Sequence, residues 1–337
     1  MLKAIILFVI GLALLIVCGD FFVDGATDIA RKYHVPELLI GATIVSIGTT
    51  LPEVLVSAQA AIKGHGEIAY GNAIGSVICN TALISALTIA IKPGTADKKA
   101  LIKPVCFFFG SAIFYAIIAY ATGYFSRIVG LILLAVFGVY MFLTIREAFA
   151  GNKSKPLANT SDGAMAGAAK SEATAEGGDE VNLLLAILKL IAGAAGIAIG
   201  ADLLVDNGTI IAQELGVPES VIALTFVALG TSLPELVTAI TALIKGHSAL
   251  SLGNIIGANL FNIVLVSGIA TTLSPFSIPQ EKSIAGLNAS LIIDIPIMLV
   301  VMGIMTIPAI IKGRLSRWQG IVMLCIYAGF CIFQFCF

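Results

Sequence analysis

Charged residues are scarce in this chain, and their scarcity narrows the class of protein. Asp, Glu, Lys and Arg make up 12% of the 337 residues, while hydrophobic residues make up 58%. Soluble domains average about 25% charged residues, so the composition excludes an ordinary soluble fold. The formal net charge of −1 provides no basic surface for a nucleic acid. The composition predicts a membrane protein with several spans.

Several motifs that carry chemistry in other proteins are missing. The six cysteines lie in apolar segments without CxxC or His/Cys spacing, so we expect reduced packing residues rather than disulfides or a zinc site. The sequence contains no Gly-rich phosphate loop and no Walker pattern. We therefore expect no nucleotide partner, no cofactor and no enzymatic activity.

Ten apolar segments approach the length of about 20 residues that a membrane-spanning helix needs. They cover residues 4–23, 38–62, 68–91, 104–121, 128–146, 183–205, 220–244, 249–273, 286–311 and 318–337. Residues 150–181, between the fifth and sixth segments, are rich in Ala, Gly, Ser and charge and contain no aromatic residue. Such a composition predicts a disordered linker. The prediction is an all-α polytopic membrane protein with five helices in 1–149, a linker at 150–181 and five helices in 182–337.

The distribution of Lys and Arg predicts the orientation of the spans, because cytoplasmic connections carry an excess of basic residues. If the N-terminus lies outside, only Lys3, Lys63, Arg127 and Lys282 fall on the outer side. Lys189 lies in the first turns of the sixth span and is assigned to the cytoplasmic side. We therefore predict a multi-pass protein of the cell inner (plasma) membrane, with both termini outside and a cytoplasmic linker.

The two halves of the chain carry the same motifs in the same order. "GTTLPE" (48–53) and "GNAIGSVICN" (71–80) align without a gap to "GTSLPE" (230–235) and "GNIIGANLFN" (253–262). The shared letters are Gly, Pro, Glu, Asn and Thr, whereas chance matches between apolar segments would be Leu, Ile and Val. Five spans is an odd number, so the second half enters the membrane inverted. Inverted repeats are typical of secondary transporters, which bind substrates near the midplane between the halves.

Each repeat places a glutamate at the predicted midplane. A charged side chain in hydrocarbon costs at least about 2.5 kcal/mol, so Glu53 and Glu235 are candidate functional residues. The proline before each glutamate lacks an amide hydrogen and frees the carbonyl four residues earlier. We therefore expect each helix to break there, at Gly48 and Gly230. Two bare carboxylates in a low-dielectric site are unfavourable, which favours ion exchange over uniport.

Side chains with neutral oxygens that could bind a cation are predicted around each glutamate. The threonine four residues earlier shares its helix face, and the next helix adds a polar stripe at every fourth position. The neutral candidates are Thr49, Asn72, Ser76 and Asn80 in the first half and Thr231, Asn254 and Asn262 in the second, where Ala258 interrupts the stripe. Such hard oxygen ligands suit Na⁺ and Ca²⁺ rather than zinc or copper.

These paired motifs resemble the two alpha repeats of the calcium/cation antiporter superfamily, and most of all its prokaryotic sodium/calcium exchanger branch. The resemblance implies that Ca²⁺ is held by Glu53, Glu235, Thr49 and Thr231. It also implies sodium or shared sites at Ser46, Thr50, Ser76, Asn80, Ala228 (by its carbonyl), Ser232 and Asn262, with Asn72 and Asn254 as further candidates. Several Na⁺ ions flowing inward would drive one Ca²⁺ outward by alternating access, as the first and sixth spans slide.

Three departures from the family pattern leave the coupling ion open. Ala258 stands where serine is usual, which leaves the number of bound Na⁺ ions undetermined. Asn262 stands where prokaryotic relatives often carry aspartate, which argues against potassium-dependent exchange. The proton-coupled branch resembles "GNxxE" rather than "GTxLPE", so the sequence favours Na⁺. A H⁺/Ca²⁺ or other cation/proton antiporter is the alternative, and a passive cation channel is a remote one.

Acidic residues outside the motifs have a different predicted role. The aspartates Asp20, Asp24, Asp202 and Asp206 recur in both halves near predicted span ends. We interpret them as helix-end or gating residues rather than ion ligands. Asp294 lies inside the ninth span without an acidic repeat mate, and we expect it to pair with a polar neighbour rather than to line an outer vestibule.

Overall fold

The computed structural model describes residues 2–151, 182–214, 230–280, 283–284 and 286–336. Among these residues the chain forms ten helices. The helices are α1 (Leu2–Tyr33), α2 (Glu37–Ile62), α3 (Gly66–Ile91), α4 (Lys98–Thr122), α5 (Arg127–Gly151), α6 (Leu183–Glu214), α7 (Leu233–Ile244), α8 (Ser248–Leu273), α9 (Ser290–Lys312) and α10 (Arg317–Cys336). Eight of them are long and apolar enough to cross a membrane, and α7 is a shorter apolar helix. The ten predicted spans are confirmed as helices where the structure describes them; residues 220–229 of the seventh lie outside the described residues, and its described helix begins at Leu233.

The helix bounds differ from the predicted spans at several ends. The first helix continues to Tyr33 instead of ending at residue 23, and the sixth continues to Glu214 instead of 205. Charged side chains in these last turns lower the hydropathy without stopping the helix. The aspartates predicted at span ends therefore lie inside α1 and α6. The fifth helix includes residues 150 and 151, the first two positions of the predicted linker, whereas 152–181 lie outside the described residues.

Within the described ranges, four π-helical turns interrupt the regular helices. They cover Gly41–Val45 in α2, Asn80–Ser85 in α3, Asn262–Val266 in α8 and Ser290–Asp294 at the start of α9. Two of the turns begin at asparagines that occupy matching positions of the two repeats. A π-turn leaves backbone carbonyls without their regular partners and is frequent at functional sites.

The short connections after α2 and α7 show the repeat at atomic detail. Gly64 and Gly246 both adopt the left-handed conformation, with φ of +82° and +86°. The following histidines each donate a backbone hydrogen bond of 2.8 Å to a carbonyl five residues earlier, at Ala60 and Ala242. These are the same helix-ending turn with a glycine at its left-handed position. The "KGH" sequence therefore folds identically in both halves.

Pairing between connections shows which helix ends share a side. Strand β1 (Tyr124–Phe125), after α4, pairs antiparallel with β2 (Phe276–Ser277), after α8. A bridge joins Thr95, after α3, to Arg314, after α9. The fourth and eighth connections thus meet, and so do the third and ninth, as expected if successive helices cross in alternating directions. A further hairpin of β3 (Ser283–Ile284) and β4 (Leu287–Asn288) precedes α9.

The hydrophobic interior consists of two clusters. The larger one is built from α3, α4, α5, α8 and α9, with Tyr115, Phe108 and Phe261 fully buried. The smaller one joins α1 to α6 and to the facing parts of α2, α7 and α8. The α1–α6 contact is close, because a Cβ on Gly25 or Gly193 would lie within 2.7 Å of the opposite backbone. The first and sixth helices therefore form a pair packed against the remaining eight.

Candidate cation-binding site

Glu53 of α2 and Glu235 of α7 are both fully buried. Thr50, three residues before Glu53 on α2, lies 3.5 Å from Glu235 Oε1, so the two glutamates belong to one contact between the helices. Both side-chain oxygens of Glu53, and Oε2 of Glu235, lack a hydrogen-bond partner within the described part of the chain. A buried carboxylate is stable only when it is paired, hydrogen-bonded or bound to a cation. The pair is therefore suited to binding a cation.

The backbone approaches the two glutamates differently in the two halves. The segment Ser46–Ile62 is a continuous α-helix through Pro52, so the opening predicted at Gly48 is wrong in its place. The irregularity lies a turn earlier, in the π-turn Gly41–Val45. In the second half, Thr231 and Ser232 form a turn, and α7 begins at Leu233 with the proline in its first turn. A proline at that position needs no amide partner, so the second helix breaks where predicted.

Two crossed hydrogen bonds tie the repeats together at the site. The Thr49 hydroxyl of the first half donates to Asn254 Oδ1 of the second at 3.2 Å. The Thr231 hydroxyl of the second half donates to Asn72 Oδ1 of the first, also at 3.2 Å. Both pairs join matching positions of the repeat, exchanged between halves. The inverted symmetry predicted from the sequence thus appears as a contact pattern around the glutamates.

Other predicted residues line the same region. The Ser46 hydroxyl donates to the main-chain oxygens of Gly41 at 2.7 Å and Asn254 at 2.9 Å. The Thr50 hydroxyl lies 3.5 Å from Glu235 Oε1, a long contact. Ser232 is buried and its hydroxyl has no partner among the described residues. These hydroxyls belong to α2 and to the turn before α7, on either side of the carboxylate pair.

The two asparagines at the π-turns complete the polar set. Asn80 and Asn262 are fully buried, and neither side-chain amide has a hydrogen-bond partner within the described residues. The turn at Asn80 packs against α7 and α8, and the turn at Asn262 packs against α2 and α3. Each asparagine therefore faces the helices of the opposite repeat. Ser76 is also buried, whereas its mate Ala258 supplies no oxygen.

Close approach of α2 and α8 holds the two halves of the site together. A Cβ on Gly257 would lie 2.2 Å from Ser46 Oγ, and a Cβ on Gly253 would lie 2.2 Å from the Leu38 carbonyl. Real Cβ atoms do not approach so closely, so these positions require glycine. Small residues at helix contacts allow such packing in membranes. The glycines of "GNIIGANLFN" are therefore packing residues.

A narrow crevice with no room for a water molecule lies between the site and the α1–α6 pair. Its lining includes Phe22 of α1, Ala194 of α6, Thr49 and the prolines of both motifs, Pro52 and Pro234. The ring of Phe22 lies against Gly48, where a Cβ would come within 3.0 Å. The α1–α6 pair thus covers the carboxylate region from one side.

Some buried polar residues have no polar mate in the other repeat and were not predicted from the sequence. Ser57 is fully buried and contacts Asn72; it lies one turn after Glu53 but has no polar repeat mate. Asn259 Nδ2 donates to Thr81 Oγ1 at 2.7 Å, and both residues have apolar mates. Asp294 accepts from a polar neighbour as expected, from Gln334 at 3.1 Å. Ala228 lies outside the described residues.

The chemistry available at this site is cation binding. Among the described residues no three His, Cys, Asp or Glu side chains come together, so the glutamate pair carries the charge and the other candidates are neutral oxygens. Two inverted repeats with oxygen ligands at their crossing define a secondary cation transporter. That is the class of protein to which fold and site point.

Comparisons with known proteins identify the family. The profile of the sodium/calcium exchanger proteins matches residues 3–146 and 185–336, and the chain belongs to that family. An uncharacterized membrane protein of Methanocaldococcus jannaschii is 35% identical over 95% of this chain and 94% of its own length. Sodium/calcium exchanger MaX1 of Methanosarcina acetivorans is 29% identical over 98% of each chain. A structure of the sodium-calcium exchanger NCX_Mj has a TM-score of 0.77 at 30% identity and 97% coverage of both chains.

Proposed function

We propose that this multi-pass membrane antiporter uses Na⁺ entry to extrude Ca²⁺ from the cell. The observation that carries the proposal is the buried pair Glu53 and Glu235, whose charges sum to the charge of one Ca²⁺ ion. The pair has neutral oxygens around it and no basic side chain in hydrogen-bond contact among the described residues. Ca²⁺ prefers six to eight oxygen ligands of this kind.

The ligand assignment follows the repeat. Thr49 and Thr231 join the two glutamates in the calcium site: Thr49 shares a face of α2 with Glu53, and Thr231, in the turn before α7, occupies the matching position of the second repeat and makes the matching hydrogen bond to an asparagine. The sodium or shared sites use Ser46, Thr50, Ser76, Asn80, Ser232 and Asn262, with the Ala228 carbonyl and the amides of Asn72 and Asn254 as further members. Na⁺ ions replace Ca²⁺ on the same carboxylates, so the two ions compete.

The proposed setting is the cell inner (plasma) membrane, with both termini outside. The basic residues of the odd-numbered connections support this orientation through the positive-inside rule. Residues 150–181 form the proposed cytoplasmic linker between the repeats 1–149 and 182–337. Inward Na⁺ movement would then drive outward Ca²⁺ movement.

A proton-coupled antiporter is the second candidate function. The observation that favours it is Glu53, whose two side-chain oxygens are buried without a partner among the described residues. A carboxyl group in that environment can take up a proton in place of Na⁺. The two functions share the site and differ in the coupling ion.

The test is Ca²⁺ uptake by the purified full chain in proteoliposomes. Na⁺, K⁺ and H⁺ gradients are imposed one at a time, with the membrane potential clamped. Uptake driven by the Na⁺ gradient alone is the expected result. Uptake that follows the H⁺ gradient and ignores Na⁺ selects the second candidate, and flux that needs no counter-ion contradicts both.

A further inference from the structure

The orientation of the Asn72 amide is set by contacts with α2. Its Nδ2 lies 3.2 Å from the main-chain oxygen of Glu53 and 2.8 Å from Ser57 Oγ. A main-chain carbonyl can only accept a hydrogen bond, so the amide nitrogen must face α2. The amide oxygen then faces Thr231, whose hydroxyl lies 3.2 Å away.

That orientation determines which side of the Thr231 hydroxyl meets a cation. A hydroxyl has one proton and two lone pairs. Because Asn72 Oδ1 accepts the proton, the lone pairs of Thr231 point elsewhere and can bind a cation. A reversed amide would donate to the Thr231 oxygen and direct the hydroxyl proton away from Asn72. The reversed arrangement would weaken Thr231 as a cation ligand.

The other repeat lacks this anchor. Asn254 Oδ1 accepts from Thr49 at 3.2 Å, but Asn254 Nδ2 has no partner among the described residues. Ala239 occupies the position that matches Ser57. The same threonine–asparagine pair is therefore held by a serine hydroxyl in one half and not in the other.

We propose that Ser57 is a positioning residue that, together with the Glu53 carbonyl, acts through Asn72 to keep the proton of Thr231 turned away from the bound cation. Ser57 does not itself contact the ion in this arrangement. The inference rests on the proposed function, because it requires Thr231 to be a calcium ligand.

The test measures equilibrium Ca²⁺ binding and Na⁺-driven exchange in the same preparations. Ser57→Ala should raise the Kd and KM for Ca²⁺ about two- to tenfold, as loss of one hydrogen bond predicts, with the maximal rate nearly retained. Ser57→Thr keeps the hydroxyl and should restore the wild-type values. Adding Ser57→Ala to Asn72→Ala should change nothing further, because the effect passes through Asn72.

The matched control is Ala239→Ser in the second repeat, which should not weaken binding. An unchanged Kd in folded Ser57→Ala, failure of threonine to restore binding, or additive effects of the two alanines would overturn the inference. Absence of Ca²⁺ binding and exchange in the wild type would instead contradict the proposed function itself.

An independent observation concerns two aspartates of α1 and the lysine that follows α7 on the linker side. Lys245, which follows α7, lies 2.8 Å from Asp24 Oδ1 and 3.3 Å from Asp20 Oδ1. Partial burial alone would lower the pKa of Lys245, but the two aspartates outweigh it and raise the pKa above its usual value. These ion pairs, the linker-side latch, join the α1–α6 pair to a helix of the site.

The repeat supplies the same three residues on the opposite side. Lys63 follows α2, and Asp202 and Asp206 lie on α6 at the positions that match Asp20 and Asp24. Among the described residues, Lys63 forms no ion pair with either aspartate of α6. One copy of the triad is thus closed while the other is open.

We propose that the two triads are alternating latches, of which one closes on each side of the membrane as the α1–α6 pair moves. The linker-side latch is closed in this structure, so the linker side is the closed side. This second inference also rests on the proposed antiport, since it needs a protein with two access states. It does not depend on which ions bind.

Neutralising the two lysines should therefore shift the access equilibrium in opposite directions. Lys245→Gln should lower the KM for Ca²⁺ offered from the linker side about two- to fivefold, the effect of partly exposed ion pairs. Lys63→Gln should raise the same KM by a similar factor. Vesicle orientation is read from a C-terminal tag, and Arg127→Gln serves as the charge control.

Hydrogen exchange on the same variants gives a readout without transport. Lys245→Gln should increase exchange near Asp20 and Asp24 on the linker side, and Lys63→Gln should decrease it. Shifts in the same direction for both variants, or none in either measurement, would overturn the latch. A wild type without exchange activity but with these opposite changes in hydrogen exchange would contradict only the proposed function.

Discussion

The two repeats carry the same motif but hold it with different contacts. In the first half the carboxyl oxygens of Glu53 have no partner among the described residues, whereas Thr50 reaches Glu235 in the second. Conversely, Asn72 is anchored by Ser57, while its mate Asn254 has an amide nitrogen without a partner in the described chain. In each repeat, therefore, protein hydrogen bonds hold one side chain of the site, while the matching side chain of the other repeat has polar atoms available for the ion.

This difference shows that the two repeats can share a fold while their matching residues have different roles at the site. The fold needs two inverted copies so that the pair of α1 and α6 can cover the site from either side. The ion needs a fixed set of oxygens, which the two copies supply unequally. The repeats differ at supporting positions such as Ser57 and Ala239, and also in the polar stripe at Ser76 and Ala258.

The largest expected effect comes from removing either charge of the glutamate pair. Glu53→Gln and Glu235→Gln should each lower Ca²⁺ exchange by about 10² to 10⁴-fold, because loss of one partner from a buried ion pair is worth about 3–5 kcal/mol. The measurement is Na⁺-driven Ca²⁺ uptake in proteoliposomes.

Glu67→Gln, an exposed glutamate at the start of α3, is the control and should transport normally. If the site were asymmetric in charge as well as in contacts, one glutamine variant would keep substantial exchange. That result would contradict a site in which both carboxylates bind the same Ca²⁺ ion.

Much of this comparison could be predicted from the sequence, because the repeat marks the polar residues that recur. Glu53, Asn80 and their mates stand out as costly residues retained twice, and all are buried in the structure. Ser57 could not be found this way, since its mate is alanine. Nor could the pairing of Thr49 with Asn254, because the alignment does not show which helices of the opposite halves meet.

Helix ends and breaks were predicted less well for physical reasons. Hydropathy ended α1 at residue 23, but its charged turns remain helical to Tyr33, because charge lowers hydropathy without preventing helix formation. The proline in each motif predicts a break in both helices, yet only α7 begins beside its proline, at Leu233. In α2 the π-turn Gly41–Val45 takes up the irregularity earlier. That π-turn packs closely against α8, where a Cβ on Gly41 would lie 2.4 Å from the Leu250 carbonyl, and local sequence does not show this contact between the halves.

A smaller effect is expected from the contact between α2 and α8. A Cβ on Gly257 would lie 2.2 Å from Ser46 Oγ and 2.6 Å from Ala42 Cα, so Gly257→Ala must separate the helices. Overpacking costs about 1–3 kcal/mol, and the displaced Ser46 should reduce exchange by roughly tenfold. Thermal unfolding and Ca²⁺ uptake measure the two consequences.

Gly138→Ala is the matched control, since it is exposed on α5 and a Cβ there meets nothing within 4 Å. It should leave both the Tm and the exchange rate unchanged. Normal exchange in Gly257→Ala would show that the repeats tolerate separation at this point. The close α2–α8 contact would then be irrelevant to the geometry of the carboxylate pair.

The smallest expected effect sharpens the comparison by making the repeats more alike. Ser76 is buried in the first half, and Ala258 occupies the matching buried position in the second. Ala258→Ser adds one hydroxyl, and a net hydrogen-bond-sized gain of about 1 kcal/mol predicts a KM for Na⁺ lower by about fivefold. Ser76→Ala, the reciprocal change, should raise that KM by a similar factor. If both variants shift the KM for Ca²⁺ and leave the KM for Na⁺ unchanged, the position of Ser76 and Ala258 contributes to Ca²⁺ binding. The assignment of these positions to the sodium sites would then be wrong.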